Sequence, residues 1–230
     1  MLPKSNLEHR AARFRRQLTA WYRRAARDLP WRRTRDPYAI MVSEFMLQQT
    51  QVSRVLGFYP RFLARYPTVE DLARARPAAV REAWDGLGYY RRAVNLHTLS
   101  RVVQKDYAGF FPSDVNELQK LPGVGQYTAG AVACFAFEQA TPTIDTNVGR
   151  VLARVFEGRK AAGKDARSIK RLAALAQRVQ PKRGKAAWTF NQAVMELGAL
   201  VCGSRDPKCA ECPVQRDCRY GAGKLKRLTR

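Results

Sequence analysis

Apolar residues recur at three- and four-residue intervals along most of the chain, the spacing that places them on one face of an α-helix. No segment alternates apolar and polar residues with the period of two that a half-buried strand needs, and no hairpin signal or internal repeat is present. The sequence therefore predicts an all-α fold. The predicted helices cover residues 38–49, 55–65, 69–74, 78–84, 93–105, 114–120, 127–137, 147–155, 166–179 and 186–200.

Two of these helical regions are almost free of charge, although 27% of the residues in the chain are charged. Between positions 37 and 53 the single charged residue is Glu44, and between positions 121 and 149 only Glu138 and Asp145 are charged. A carboxyl group withdrawn from water favours its protonated form, which is the state that a general acid needs. Glu44 and Asp145 are therefore candidate catalytic residues. The alternatives are a place on a helix surface or, for Asp145, a role as the N-cap of the next helix.

The overall charge is strongly positive. The chain carries 42 Lys and Arg against 19 Asp and Glu, a formal net charge of +23 at pH 7. The basic residues concentrate in positions 1–36, in positions 158–185 and in the tail after Cys218. A merely solubilising surface is one interpretation, and a membrane surface is disfavoured because the basic runs lack a large apolar face and no stretch can span a bilayer. The balance favours nucleic acid as the partner.

The segment "LPGVGQYTAG" predicts a tight turn at the head of a helix that begins near Tyr127. Gly123 and Gly125 permit positive φ and a close approach of the backbone, so that successive N–H groups, including that of Val124, can point outward and bind an anion. With the predicted helix 114–120 before it, this is a helix–hairpin–helix, a device that grips a DNA phosphate without reading sequence. A plain glycine turn between two helices is the alternative.

Four cysteines near the C-terminus have the spacing C-x6-C-x2-C-x5-C, which gathers four thiols into one short loop and predicts a metal or cluster site. These are Cys202, Cys209, Cys212 and Cys218. Both zinc and iron–sulfur clusters take four thiolates, and the single C-x2-C pair leans toward a cluster. Two disulfides are the other alternative, but nothing at the N-terminus resembles a secretory signal, and unbridged thiols suit the cytosol. The fifth cysteine, Cys134, lies in an apolar run and is expected to be a buried structural thiol.

Seven segments together resemble, in order and spacing, the helix–hairpin–helix DNA glycosylases of the endonuclease III superfamily, and most nearly the catalytic part of MutY-type adenine DNA glycosylases. They are "LPWRRTRDPY", "SEFMLQQTQV", "GLGYYRRAVNLH", "LPGVGQYTAGAV", "TIDTNVGRVLAR", "FNQAVMELGALVC" and the four-cysteine loop. The resemblance covers about residues 20–220. It implies a [4Fe–4S] cluster on loop 202–218. It also implies two lobes that hold DNA between them, a six-helix module at 37–142 and a lobe made of 1–36 with 143–230.

The resemblance also implies roles for single residues. Glu44 matches the acid that protonates the purine at N7, and Asp145 matches the carboxylate that stabilises the oxocarbenium-like sugar. Tyr127 and Asn147 match the hydrogen-bonding residues near the sugar and the attacking water. The target base must leave the stack for this chemistry, since its N7 and the sugar C1′ cannot be reached inside the duplex.

Five further positions match residues that handle the extruded nucleotide. Gln49 and Tyr89 match those that enter the gap in the duplex, together with the hairpin that grips the phosphate. Trp31, Arg32 and Gln192 match positions that line the base pocket. The expected partner is double-stranded DNA that contains a mismatch or a damaged base, bound by a monomeric protein of the prokaryotic cytoplasm, with no membrane involved.

Some positions separate this chain from parts of the family. Bifunctional members carry Lys where this chain has Tyr127, and a tyrosine cannot form a Schiff base, so we expect no efficient lyase activity. The chain ends twelve residues after Cys218, which predicts that the C-terminal domain for 8-oxoguanine recognition is absent. Val94 stands where the family usually has Arg. Two alternatives remain: a thymine or uracil glycosylase acting on T:G and U:G mismatches, and a non-catalytic iron–sulfur protein that binds DNA.

Overall fold

A computed structural model describes residues 4–163 and 165–222, and within these residues every regular element is helical. The basic tail predicted after Cys218 lies outside them from residue 223 onward, as does Lys164. The all-α prediction is confirmed. The α-helices are α1 (Lys4–Ala25), α2 (Pro37–Leu47), α3 (Val52–Arg65), α4 (Val69–Arg74), α5 (Pro77–Ala83), α6 (Arg91–Asp106), α7 (Val115–Lys120), α8 (Gln126–Phe135), α9 (Thr146–Leu152), α10 (Ala166–Val179) and α11 (Gly184–Leu200).

The sequence missed two features of this list. Helix α1 was not predicted, although Leu7, Phe14 and Leu18 are buried at helical spacing along it. The helix predicted at 147–155 is instead α9 followed by a π-helical turn, Ala153–Glu157, which ends at Gly158 with φ 73°. Short 3₁₀ turns also form at Pro30–Arg32, Cys209–Glu211 and Gln215–Asp217.

The chain divides into two compact units, residues 28–137 and residues 1–27 with 138–230. We call these the inserted unit and the terminal unit. Residues 28–36 belong to the inserted unit, where Trp31 packs its ring edge-on against Tyr59, with centroids 5.4 Å apart.

Helix α2 is the centre of the inserted unit. Every residue from Tyr38 to Met46 is buried, and α2 packs against α3, α6 and α8. Asp36 caps its N-terminus by accepting hydrogen bonds from the backbone N–H groups of Tyr38 and Ala39, and Pro37 supplies a first helical residue that needs no acceptor. Because α2 is apolar on all sides, any charged residue within it is withdrawn from water.

The terminal unit has its own apolar core. Helix α1 packs on α10 and α11, and α11 packs on α9. Phe14 is fully buried, and its ring makes edge-on contacts with Phe156 at 5.2 Å and Phe190 at 5.9 Å between centroids. None of the helices in the described ranges is both long and apolar enough to cross a bilayer.

Candidate functional site

Glu44 lies near the C-terminal end of α2 and is buried, with 6% of its surface exposed. Its neighbours along the helix, Ser43 and Phe45, are 1% exposed, and the Ser43 hydroxyl donates to the carbonyl of Ile40 at 2.7 Å. The burial expected of Glu44 from its apolar helical surroundings is therefore observed. Helix α8, which carries the half-buried Tyr127, packs directly against α2.

Gln49 and Tyr89 lie in two loops of the inserted unit, the first after α2 and the second before α6. Both adopt left-handed backbone conformations, with φ 56° and φ 49°, and both side chains are exposed, Tyr89 to 62%. Non-glycine residues rarely take this conformation, and such strain clusters at binding sites. Trp31 is buried and Arg32 is half-buried in the short 3₁₀ turn of the same unit.

The hairpin between α7 and α8 forms, but Gly125 and Val124 differ from the expectation. Gly123 has φ 77°, and a Cβ there would lie 2.8 Å from the Cβ of Asn95. Gly125 instead has φ −87° and serves as the N-cap of α8, with open space around its Cα. The Val124 side chain is buried and its N–H donates to the Leu121 carbonyl at 3.1 Å, so Val124 does not contribute the outward N–H expected of it. The turn closes on that hydrogen bond.

Asp145 is the N-cap of α9 in the terminal unit. Its Oδ1 accepts a hydrogen bond from the Val148 N–H at 2.6 Å, and its Oδ2 accepts one from Nδ2 of Asn147 at 3.1 Å. Burial raises the pKa of Asp145, and these hydrogen bonds together with the charge of Arg150 only partly offset that rise. The capping alternative is thus correct in geometry, and the carboxyl group also lies in a desolvated place.

A chain of polar contacts leads from Asp145 to the cysteine loop. Asn147 Oδ1 accepts from a guanidinium N–H of Arg150 at 2.7 Å. The same guanidinium donates to the carbonyl of Gly198 at 2.8 Å and to that of Cys202 at 2.9 Å. Helices α9 and α11 approach closely here, since a Cβ on Gly198 would meet Asn147 at 2.6 Å. Gln192, on α11, is buried with 5% exposure.

The four cysteines of the loop line one pocket of the terminal unit. All four are free thiols, so the disulfide alternative is not what the structure holds. Burial raises the pKa of Cys212 to about 12 and also raises that of Cys218, and the neighbouring cysteines add to both shifts. Among the described residues no three His, Cys, Asp or Glu side chains are arranged to hold a single metal ion. Cys134 is fully buried in α8, as predicted.

Arg154 supports the loop from inside. It is 1% exposed, and its guanidinium donates to Sγ of Cys202 at 3.4 Å and to the carbonyls of Gly203 and Ser204 at 2.6 Å and 2.8 Å. The ring of Tyr220 covers it at 5.0 Å. Sequence reasoning overlooked Arg154 and Arg150, because an arginine is normally expected at the surface and its carbonyl acceptors lie some fifty residues further along the chain.

The comparisons with known proteins agree with these features. Residues 42–178 match the HhH-GPD family, described as "HhH-GPD superfamily base excision DNA repair protein". An adenine DNA glycosylase of Mycobacterium tuberculosis is 49% identical over 198 residues, which is 86% of this chain and 64% of that protein. An adenine DNA glycosylase of Mycolicibacterium smegmatis is 46% identical over 205 residues, 89% of this chain and 68% of that protein. The chain thus spans about two thirds of the length of these relatives.

The fold is also similar to a solved structure described as a thermostable thymine-DNA glycosylase. The TM-score is 0.85 at 32% sequence identity, and the match covers 94% of this chain and 98% of that one. The chain belongs to the HhH-GPD superfamily of base excision DNA repair proteins, within its adenine DNA glycosylase family.

Proposed function

We propose that this protein hydrolyses the N-glycosidic bond of a mispaired adenine in double-stranded DNA, opposite G or 8-oxoguanine. The observation that carries the proposal is the single carboxyl group of Glu44, buried within an otherwise apolar helix. A carboxyl group in such surroundings is suited to deliver a proton to a leaving group. The identity to adenine DNA glycosylases over most of the chain supports adenine as that group.

In the proposed reaction, Glu44 donates its proton to N7 of the extruded adenine. The bond between C1′ and N9 then breaks, and its electron pair leaves with the base. Water adds its oxygen to C1′ and returns a proton to the carboxylate of Glu44, so that the enzyme is regenerated and an abasic site remains. Tyr127 and Asn147 are proposed to hydrogen-bond near the sugar and the water.

Asp145 is proposed to stabilise the positive charge that develops on the sugar ring as the base leaves. It must be ionised for this role. The contacts from Val148 and Asn147 hold both carboxylate oxygens in place, and Arg150 in turn fixes Asn147. The positioning of this carboxylate therefore depends on backbone carbonyls of α11 and of the cysteine loop.

Two parts of the protein are proposed to contact the DNA backbone: the hairpin between α7 and α8, and basic residues of the cysteine loop. The exposed hairpin around Gly123 and Gly125 is proposed to approach a phosphate, for which a left-handed glycine and an open N-cap leave room. Arg205, Lys208 and Arg216, exposed on the cysteine loop, are proposed to contact further phosphates. Binding of this kind weakens steeply as salt rises.

Cys202, Cys209, Cys212 and Cys218 are proposed to hold a [4Fe–4S] cluster, because four free thiols face one cavity and each iron of such a cluster takes one thiolate. The cluster would supply a rigid crosslink for the loop, with no part in hydrolysis. Since burial keeps the pKa of Cys212 near 12, cluster binding must displace its proton.

Metal analysis of anaerobically purified protein should therefore find about four iron atoms per chain and little zinc. Cys212→Ser should lose most of the iron and the visible absorbance of the cluster, whereas Cys134→Ala, which changes a buried thiol outside the loop, should keep both. One zinc per chain in the wild type would refute the cluster.

Tyr127 predicts a glycosylase without strand-cleaving lyase activity, because a phenol cannot form the Schiff base that β-elimination requires. Borohydride should trap no covalent complex between the wild type and abasic product DNA. Tyr127→Lys, which restores the amine, is expected to give a trapped complex under the same conditions. Efficient trapping of the wild type would show that another amine performs lyase chemistry.

A thymine glycosylase acting on T:G or U:G mismatches is the second candidate, favoured by the thymine-DNA glycosylase whose fold this chain shares at 32% identity. Thymine has no N7, so Glu44 would then have to act on another atom or on water. A base-release panel with A:8-oxoguanine, A:G, T:G and U:G duplexes separates the two. We expect release of adenine, and release of thymine or uracil alone would select the second candidate. Binding with no abasic product on any duplex would instead favour the non-catalytic alternative.

A further inference from the structure

Arg92 is a buried arginine whose acceptors are all backbone carbonyls. It lies in the first turn of α6 and is 7% exposed. One guanidinium nitrogen donates to the carbonyls that end α2, those of Phe45 at 2.9 Å, Met46 at 2.8 Å and Gln48 at 2.5 Å. The other nitrogen donates to the loop before α6, to Leu87 at 3.2 Å and Gly88 at 3.0 Å.

Burying a charged guanidinium costs free energy, because the charge loses its contact with water. Burial lowers the pKa of Arg92, and the acceptors described for its guanidinium are backbone carbonyls rather than carboxylates. The compensation comes from the negative end of α2, which has no basic residue of its own in its last turn. Replacing Arg92 with a shorter side chain would leave several buried carbonyls without this hydrogen-bond donor, and that loss is unfavourable.

Two of the five carbonyls have a special position. The carbonyl of Gln48 belongs to the peptide unit that precedes Gln49, and the carbonyl of Gly88 belongs to the one that precedes Tyr89. Those are the two exposed residues with left-handed φ in these loops. Because φ is set by how the preceding peptide unit is turned, a donor that fixes both carbonyls also fixes both unfavourable conformations. The guanidinium carbon also lies 5.5 Å from the centre of the Tyr89 ring.

We infer that Arg92 is a positioning residue that holds Gln49 and Tyr89 in their protruding conformations before DNA binds. Its consequence for catalysis rests on the proposed function, since only an enzyme that extrudes a base needs these two side chains ready. Pre-ordering them removes a conformational cost from the extrusion step.

The effect of Arg92 on the conformation of the two loops can be measured by amide hydrogen exchange, which does not depend on enzyme activity. Arg92→Met should raise amide hydrogen exchange about tenfold or more in residues 48–50 and 88–90 and leave α3, α7 and α8 protected as in the wild type. Arg91→Met removes the same charge from the adjacent, exposed position and should change neither loop. Unchanged exchange in both loops of Arg92→Met would overturn the inference, whatever the enzyme does to DNA.

The kinetic part compares two substrates under single-turnover conditions. Arg92→Met should slow base release from a mispaired duplex about ten- to a hundredfold, and much less when the target base stands opposite an abasic site, where less stacking and pairing must be broken. Arg92→Lys, which keeps the charge and three donors, should fall between, and remains informative if the Met variant does not fold. Equal slowing on both substrates would overturn the positioning role, whereas no base release by the wild type would refute only the proposed function.

Discussion

Glu44→Gln should abolish base release while DNA binding stays nearly intact. Glutamine has the same shape as protonated glutamate but no proton to give, so the leaving adenine would depart as an anion. Loss of a general acid lowers the rate by about 10²- to 10⁴-fold. The measurement is single-turnover release of adenine at saturating enzyme, alongside the dissociation constant for the same duplex.

The matched control for this change is Glu82→Gln, which makes the same substitution at an exposed carboxylate of the inserted unit. Its only described partner is an exposed ion pair with Arg65, so its base-release rate should equal that of the wild type. Should Glu44→Gln keep a substantial single-turnover rate, another group must supply the proton, and Glu44 would be a buried structural carboxyl group.

Asp145→Asn should lower the base-release rate about 10²- to 10³-fold, as expected when a fixed charge that stabilises the transition state is removed. Asparagine is as good an N-cap as aspartate, so the free energy of unfolding should change by no more than about 1 kcal/mol. Burial in fact makes the ionised form costly in the folded state, and the neutral amide removes that cost. Low activity with undiminished stability would therefore show that this carboxylate serves function rather than folding.

Asp165→Asn provides the control, because Asp165 also caps a helix of the terminal unit and accepts from the Ser168 N–H at 2.9 Å. It should leave base release unchanged. A second check uses pH. Since burial raises the pKa of Asp145, activity that depends on its carboxylate should fall on acidification at a higher pH than an exposed aspartate would give. An activity that stays constant through that range would contradict the proposed role.

The helices were the most predictable part of the fold, since the apolar spacing that defines them also defines the core. Helices α4 and α10 were predicted with their observed bounds, and most other helix ends shifted by one to three residues, where capping decides the last turn. Helix α1 was missed because its many arginines drew attention to charge, although Leu7, Phe14 and Leu18 recur on one face. The charge pattern and the apolar pattern of one segment carry separate information.

Some residues of the candidate site were evident from the sequence and others were not. Glu44 was evident from sequence as a lone charge in an apolar run, and its burial followed from the all-round apolar character of α2. The supporting arginines, Arg92, Arg150 and Arg154, were not evident. Each one satisfies carbonyls of segments distant in sequence, and backbone carbonyls leave no trace in side-chain patterns. The left-handed conformations of Gln49 and Tyr89 also depend on such contacts.

The terminal unit consists of two segments that the ribosome produces far apart in time. Helix α1 is synthesised before the inserted unit, but the two helices on which its apolar face packs, α10 and α11, both lie beyond residue 165. The inserted unit, by contrast, is one continuous segment and can fold while synthesis continues. The nascent chain must therefore carry α1 without its packing partners until α11 has been synthesised.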